Sequence, residues 1–115
     1  WFTTNYKKYN NKENLLPVDQ HMLIALIAPR PVYATNASED LWADPTGTYL
    51  ALKHAEPVYA LYGSKSHLPK KLPAIDQPVK GSLISYHNRK GEHNLTVYDW
   101  TNFIRFADDL FKAAR

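Results

Sequence analysis

SLISYHNRKGEHNLTVYDW, residues 82–100, passes from strand to turn to helix start, and the fold is read outward from it. Leu83-Ile84-Ser85-Tyr86-His87 is a short apolar run bounded by turn residues, which reads as a buried strand. Asn88-Arg89-Lys90-Gly91-Glu92 breaks it with a polar turn, His93 follows, and a helix is expected to begin near Asp99. Open parallel sheets gather their sites on loops past the C-terminal ends of strands. A histidine there can take and return a proton near neutral pH.

Upstream, Asp19 is placed to cap a helix over Gln20-His21-Met22-Leu23-Ile24-Ala25-Leu26-Ile27, which Pro29 stops. That helix is apolar nearly all round, so burial on most sides is expected. Arg30 to Asn36 reads as a strand with Pro31 near its start, followed by a loop over 37–43. Asp44-Pro45 supplies a cap and an N1 proline for a helix over 46–54. Glu56-Pro57 restarts the chain into a second short helix over 58–62, ended by Gly63. Residues 64–80, with Pro69, Pro73 and Pro78, read as a long loop, and residues 1–16 as another with room for one helical turn. The chain closes with an amphipathic helix over 99–114, whose apolar positions Trp100, Phe103, Ile104, Ala107, Leu110 and Phe111 keep helical spacing.

Strands separated by helical crossovers imply a parallel sheet covered on both faces. The fold class is therefore α/β, with residues 1–115 as one part of one domain. Two parallel strands do not make a stable sheet alone, so the remaining strands are expected from elsewhere. The opening Trp1-Phe2, without an initiator Met or signal peptide, is expected of a piece of a longer chain.

The chain has 115 residues, 44% of them hydrophobic and 22% charged, which fits a globular protein. Its net charge of +3 is scattered over Lys7-Lys8, Lys70-Lys71 and Arg89-Lys90, without the clustered patch of a nucleic-acid face. There is no cysteine, which removes disulfide and thiol chemistry. The apolar run from Met22 to Ala28 is too short to span a bilayer.

Three residues stand out chemically. His93 is a candidate proton carrier. Asp40, on the loop after the first strand, is a candidate partner that would fix the histidine's tautomer and stabilise its protonated form. Glu39 and Asp44 are its rivals, although Asp44 is already assigned as a helix cap. Trp42 offers a flat face for a sugar ring and an indole N–H, with a packing anchor as its alternative. His21, His54, His67 and His87 show no metal-ligand spacing, and His21 and His87 read as structural; neither metal nor cofactor is expected.

The run DQHMLIALIAPRPV resembles a segment of α/β-hydrolase esterases that leads from a helix into the strand before the acid. EDLWADP followed by GTY, and YHNRKGEHNLTVYDW, resemble stretches of the glucuronoyl esterases of carbohydrate esterase family 15. The resemblance runs from about Leu16 to Lys112. It implies the C-terminal portion of an α/β-hydrolase sandwich, in which nucleophile, acid and histidine follow in chain order. It implies a secreted or periplasmic serine esterase acting on 4-O-methyl-glucuronoyl esters that link xylan to lignin alcohols. His93 would be the base, Asp40 the acid and Trp42 part of the glucuronate pocket. Asn94 stands where the family commonly has an aspartate after the histidine, and some members place the acid upstream. The serine elbow and the arginine after it do not occur in these residues, so the N-terminal portion of the same enzyme is the expected partner. The chain alone is expected to be inactive. An acetyl xylan esterase and a catalytically silent carbohydrate-binding or structural module are the alternative readings.

Overall fold

A computed structural model describes residues 2–65, 67–81 and 83–113. Its centre is a three-stranded sheet of order β1-β3-β2. β1 (Val32–Ala37) and β3 (Ile84–Arg89) run parallel, with partners from Val32↔Ile84 to Ala37↔Arg89. β2 (Val79–Lys80) lies antiparallel on the other edge of β3, with Val79 opposite Tyr86. β3 thus has both edges paired, and every one of its residues is buried.

Side chains alternate across a strand, and β3 uses both faces. Tyr86 packs on Tyr49 of α3 (Pro45–Leu61), ring centroids 5.0 Å apart. His87 and Arg89 face α4 (Val97–Ala113), where they meet Tyr98, Phe103 and Asp99. The core on the α3 side comprises Tyr49, Leu52, Tyr59, Leu68, Ile84 and Tyr86, with Ile24, Val32 and Ala34 packed against it. A buried phenol usually finds a hydrogen-bond partner, and three in this core do. Tyr49 donates to Pro69 O (2.8 Å), Tyr59 to Arg30 O (2.9 Å) and Tyr86 to Asn36 Oδ1 (3.0 Å).

α3 differs from the expected pair of short helices. It is continuous over 17 residues, with Pro57 inside it. A proline removes one intrahelical bond, yet Ala51, Leu52, Ala55 and Tyr59 are buried on both sides of Pro57 and keep one axis. Asp44 caps the helix, its Oδ1 accepting from Gly47 N at 2.9 Å. Gly47 suits this cap, since a Cβ there would sit 2.2 Å from Asp44 Oδ2. At the other end Gly63 takes φ +84°. Ser64 N donates to Tyr59 O and Gly63 N to Ala60 O, the paired bonds of a Schellman stop.

Other expectations shift. Residues 64–80 are not a free excursion. Leu68 is buried, its N–H donates to the Glu56 carboxylate, and its carbonyl accepts from Lys53 Nζ. Their last residues form β2, too short to carry a periodic signal. α2 (Gln20–Ala25) is capped by Asp19 as read, but has no fully buried residue. It packs on α3 through one side and leaves Leu23 and Leu26 exposed. α1 (Thr4–Lys7) is the one helical turn for which the first loop had room, and 3-10 turns at Glu13–Leu15 and Leu41–Ala43 lie in segments read as loop. α4 starts at Val97 and is rotated only in part from the expected face, since Phe103 packs on Tyr33 and Ala107 and Leu110 are half-buried. Asp99 and Asn102 are buried, while Trp100, Ile104 and Phe111 are exposed. The buried pairing of Asp99 with β3 sets that rotation. Residue 114, the expected helix end, lies outside the described residues.

In the full-length protein, Leu52→Ala is expected to cost about 2–5 kcal/mol through lost burial and a residual cavity, since Leu52 is 0% exposed. Urea unfolding measures it. A loss below about 1 kcal/mol would contradict this packing.

Candidate active site

β1 and β3 are adjacent, parallel and end at the same level, so their following loops start side by side. Pairing continues past the strands. Ser38 N donates to Arg89 O (2.8 Å), Glu39 N to Gly91 O (2.9 Å), and Gly91 N to Ser38 Oγ (3.2 Å). Asp40 then closes a turn, its N–H donating to Ala37 O. The Asp40 side chain makes no cap bond to the 3-10 turn Leu41–Ala43 that follows. Its Oδ2 instead lies 2.5 Å from His93 Nδ1. The carboxylate side chain is 13% exposed and the imidazole 88%. Nδ1–H donating to the carboxylate leaves Nε2 as the proton-accepting nitrogen of an exposed ring. Of the rivals, Asp44 has its carboxylate on the α3 cap, and Glu39 joins the loops through its backbone.

Beneath this pair lies a buried polar hub. Asp99 Oδ1 is 2.8 Å from His87 Nε2, and its Oδ2 accepts from Arg89 Nε (3.0 Å), Thr96 N (2.7 Å) and Thr96 Oγ1 (2.8 Å). The Asp99 carboxylate thus caps the Thr96 N–H at the start of α4, one half of a capping box. His87 Nδ1 is 2.9 Å from the Tyr33 hydroxyl. A neutral His87 protonated on Nε2 satisfies both neighbours, donating to Asp99 and accepting from Tyr33. Burial by itself would raise the Asp99 pKa. The hydrogen bonds from His87 and Thr96 and the Arg89 charge outweigh it and hold the carboxyl below the usual range. Burial, followed by the nearby Tyr98 and Asp99, pushes the Tyr33 phenol up to about 12, so it stays protonated.

A concavity of about 470 Å³ at this end of the sheet is lined by Thr35, Asn36, Asp40, Arg89, His93 and Asp99, among others. Asp40 and His93 are therefore brought together. Trp42 sits on the 3-10 turn just after Asp40, 90% exposed, and does not line the concavity. A larger hollow of about 740 Å³ runs between α2, β1 and α3, past His21 and His54, and contains neither Asp40 nor His93. His21 pairs with Asp19 at 3.5 Å, and His87 is structural. Among the described residues no cluster of His, Cys, Asp and Glu is placed to hold a metal ion.

Arg89 and Asp99 were not singled out from the sequence. Arg89 reads as a turn residue beside Gly91, and Asp99 as a helix start. The available signal was Thr96-x-x-Asp99 ahead of an apolar run, a capping pattern.

The arrangement can orient an imidazole, stabilise its protonated form and present its outer nitrogen to a proton donor. Comparison with known proteins shows which family the chain is similar to. The family model "Glucuronyl esterase, fungi" matches residues 1–63. "Carbohydrate esterase MZ0003", from an unknown prokaryotic organism, is 50% identical over 94% of this chain and 25% of its own. "4-O-methyl-glucuronoyl methylesterase 1" of Phanerochaete chrysosporium is 36% identical over 90% of this chain and 27% of its own. The solved structure of a promiscuous CE15 esterase from a marine bacterial metagenome superposes with a TM-score of 0.87 at 49% identity, covering 94% of this chain and 27% of that one. The chain thus spans about a quarter of the length of these relatives.

The hub predicts a pH signature. A carboxyl with a depressed folded pKa adds stability above its unfolded value, near about 3.9, and loses it as pH falls through the folded value. Asp99→Asn in the full-length protein should cost about 3–5 kcal/mol at neutral pH, because it leaves buried Arg89 unpaired. The gap to the wild type should narrow below about pH 4. Denaturant melts across pH measure it, and a gap independent of pH would exclude the Asp99 charge as its source.

Proposed function

Since this chain belongs to the glucuronoyl esterases of carbohydrate esterase family 15, which are α/β-hydrolases, we propose that it forms the acid-and-histidine portion of a serine-type carbohydrate esterase. The observation that carries this reading is the 2.5 Å contact between Asp40 Oδ2 and Nδ1 of an otherwise exposed His93. The nucleophile is a serine contributed by the N-terminal portion of the same enzyme. His93 Nε2 takes the serine proton as the hydroxyl attacks the ester carbonyl. Asp40 keeps Nδ1–H oriented and offsets the imidazolium charge without itself taking the proton. The imidazolium then protonates the departing alcohol. Water, deprotonated by His93, releases the acid and restores the serine.

The substrate class is a 4-O-methyl-glucuronoyl ester between xylan and a lignin alcohol, met by a secreted enzyme. The named relatives and the CE15 structural likeness support this reading. Trp42, exposed two residues after Asp40, is assigned the role of laying its indole against the uronate ring from outside the concavity. The 115-residue chain alone is expected to hydrolyse no ester, since base and acid have no nucleophile to activate.

Three substitutions in the full-length protein test this. His93→Gln should lower kcat on a glucuronate ester by about 10⁴-fold or more, and Asp40→Asn by about 10³–10⁴-fold. Activity within about tenfold of wild type in His93→Gln would end the reading. Trp42→Ala should reduce kcat/KM about tenfold on glucuronate esters and far less on acetyl esters. Equal losses on both would remove Trp42 from the sugar site.

A further inference from the structure

We propose that Arg89 is a positioning residue for His93: its buried guanidinium gathers the carbonyls on both sides of the histidine and so aims the imidazole at Asp40. This rests on the esterase reading above. Arg89 is 4% exposed, and its side chain donates in four directions. Nε binds Asp99 Oδ2 at 3.0 Å and Nη1 binds Lys90 O at 3.0 Å. Nη2 binds Glu92 O at 2.6 Å and Asn94 O at 2.5 Å.

The last two contacts bracket His93. Drawing the carbonyls of residues 92 and 94 onto one nitrogen folds the backbone tightly around residue 93. The side chain between them has one way out, away from the guanidinium, and it emerges exposed against Asp40. Gly91 fits the same construction. It sits at φ +112°, and a Cβ there would come within 3.1 Å of Arg89 Nη1. Gly91 also carries the two bonds to Ser38 and Glu39 that hold the acid loop in place. The guanidinium is anchored from below by Asp99, which is in turn fixed by His87 and Thr96. The aim of His93 is thereby referred to β3 and α4 rather than to its own exposed loop.

A lysine would preserve the charge but not the rigid fork, and one ammonium cannot span these acceptors. Misplacing a catalytic group by about 1 Å can cost about 10²-fold in rate. The test uses the full-length protein, a soluble alkyl ester of glucuronic acid, and Arg89→Lys and Arg89→Met, each in wild-type and His93→Gln backgrounds. In the wild-type background kcat should fall about 100-fold with KM changed less than about threefold. In the His93→Gln background the same changes should lower the residual rate less than about threefold, because the residue they act through is gone. Arg89→Lys with near wild-type kcat, or an equal fractional loss in both backgrounds, would overturn the proposal. If the Arg89 variants do not fold, Thr96→Val decides, since it removes one bond that fixes the Asp99 anchor and touches neither the acid loop nor His93. A fall in kcat of about tenfold or more at unchanged KM supports the proposal, and unchanged kcat overturns it. The unsubstituted enzymes separate the two levels. If wild type lacks esterase activity, or His93→Gln retains it, the esterase reading fails and this inference falls with it. If that reading stands and only the Arg89 comparison fails, Arg89 is structural.

Discussion

The Asp99 carboxylate is the constraint on which the rest depends. A charge that is 1% exposed must be met on every side. Here Arg89 and His87 meet it from β3 and Thr96 from the start of α4. A single group therefore fixes where α4 begins, how it is rotated against the sheet, and which way the end of β3 points. Tyr33 of β1 joins through His87, so both long strands and the last helix share one polar network. Such a network is costly when partly satisfied, and here each of these acceptors has a donor.

The opposite face of the sheet is organised by a different rule. There Tyr49, Tyr59 and Tyr86 bury their rings in the core and hand their hydroxyl protons to Pro69, Arg30 and Asn36. Apolar area supplies the cohesion, and three directed bonds tie irregular segments to it. The site lies at the edge where the two regimes meet. The parallel register of β1 and β3 carries both loops to the same level.

Much of this was legible in the sequence because it rests on short-range signals. Caps, prolines and strand-like runs placed α2, β1, β3 and α4 in order, and chain order singled out Asp40 and His93. The rest failed where tertiary contacts override a local rule. Pro57 marks a break, but burial on both sides carries the helix through. Arg89 beside a glycine reads as turn, whereas the strand extends to include it because Ala37 pairs there. Hydrophobic spacing finds Phe103, Ala107 and Leu110 on α4 but assumes an apolar buried side, so it does not show that Asp99 and Asn102 also turn inward. β2 is two residues long and gains its identity only from the edge of β3.

The central placement of β3 has a consequence for amide hydrogen exchange. Over Ser85 and Tyr86 its N–H groups lie between two neighbouring strands and two covering helices, where exchange needs the largest openings of the molecule. The histidine loop hangs from that slowest-opening strand. The acid turn hangs from β1, whose described pairing lies along one side, and reaches the histidine across Ser38, Glu39 and Gly91. Exchange at the Glu39 and Gly91 amides therefore reports on the contact between the acid loop and the histidine loop.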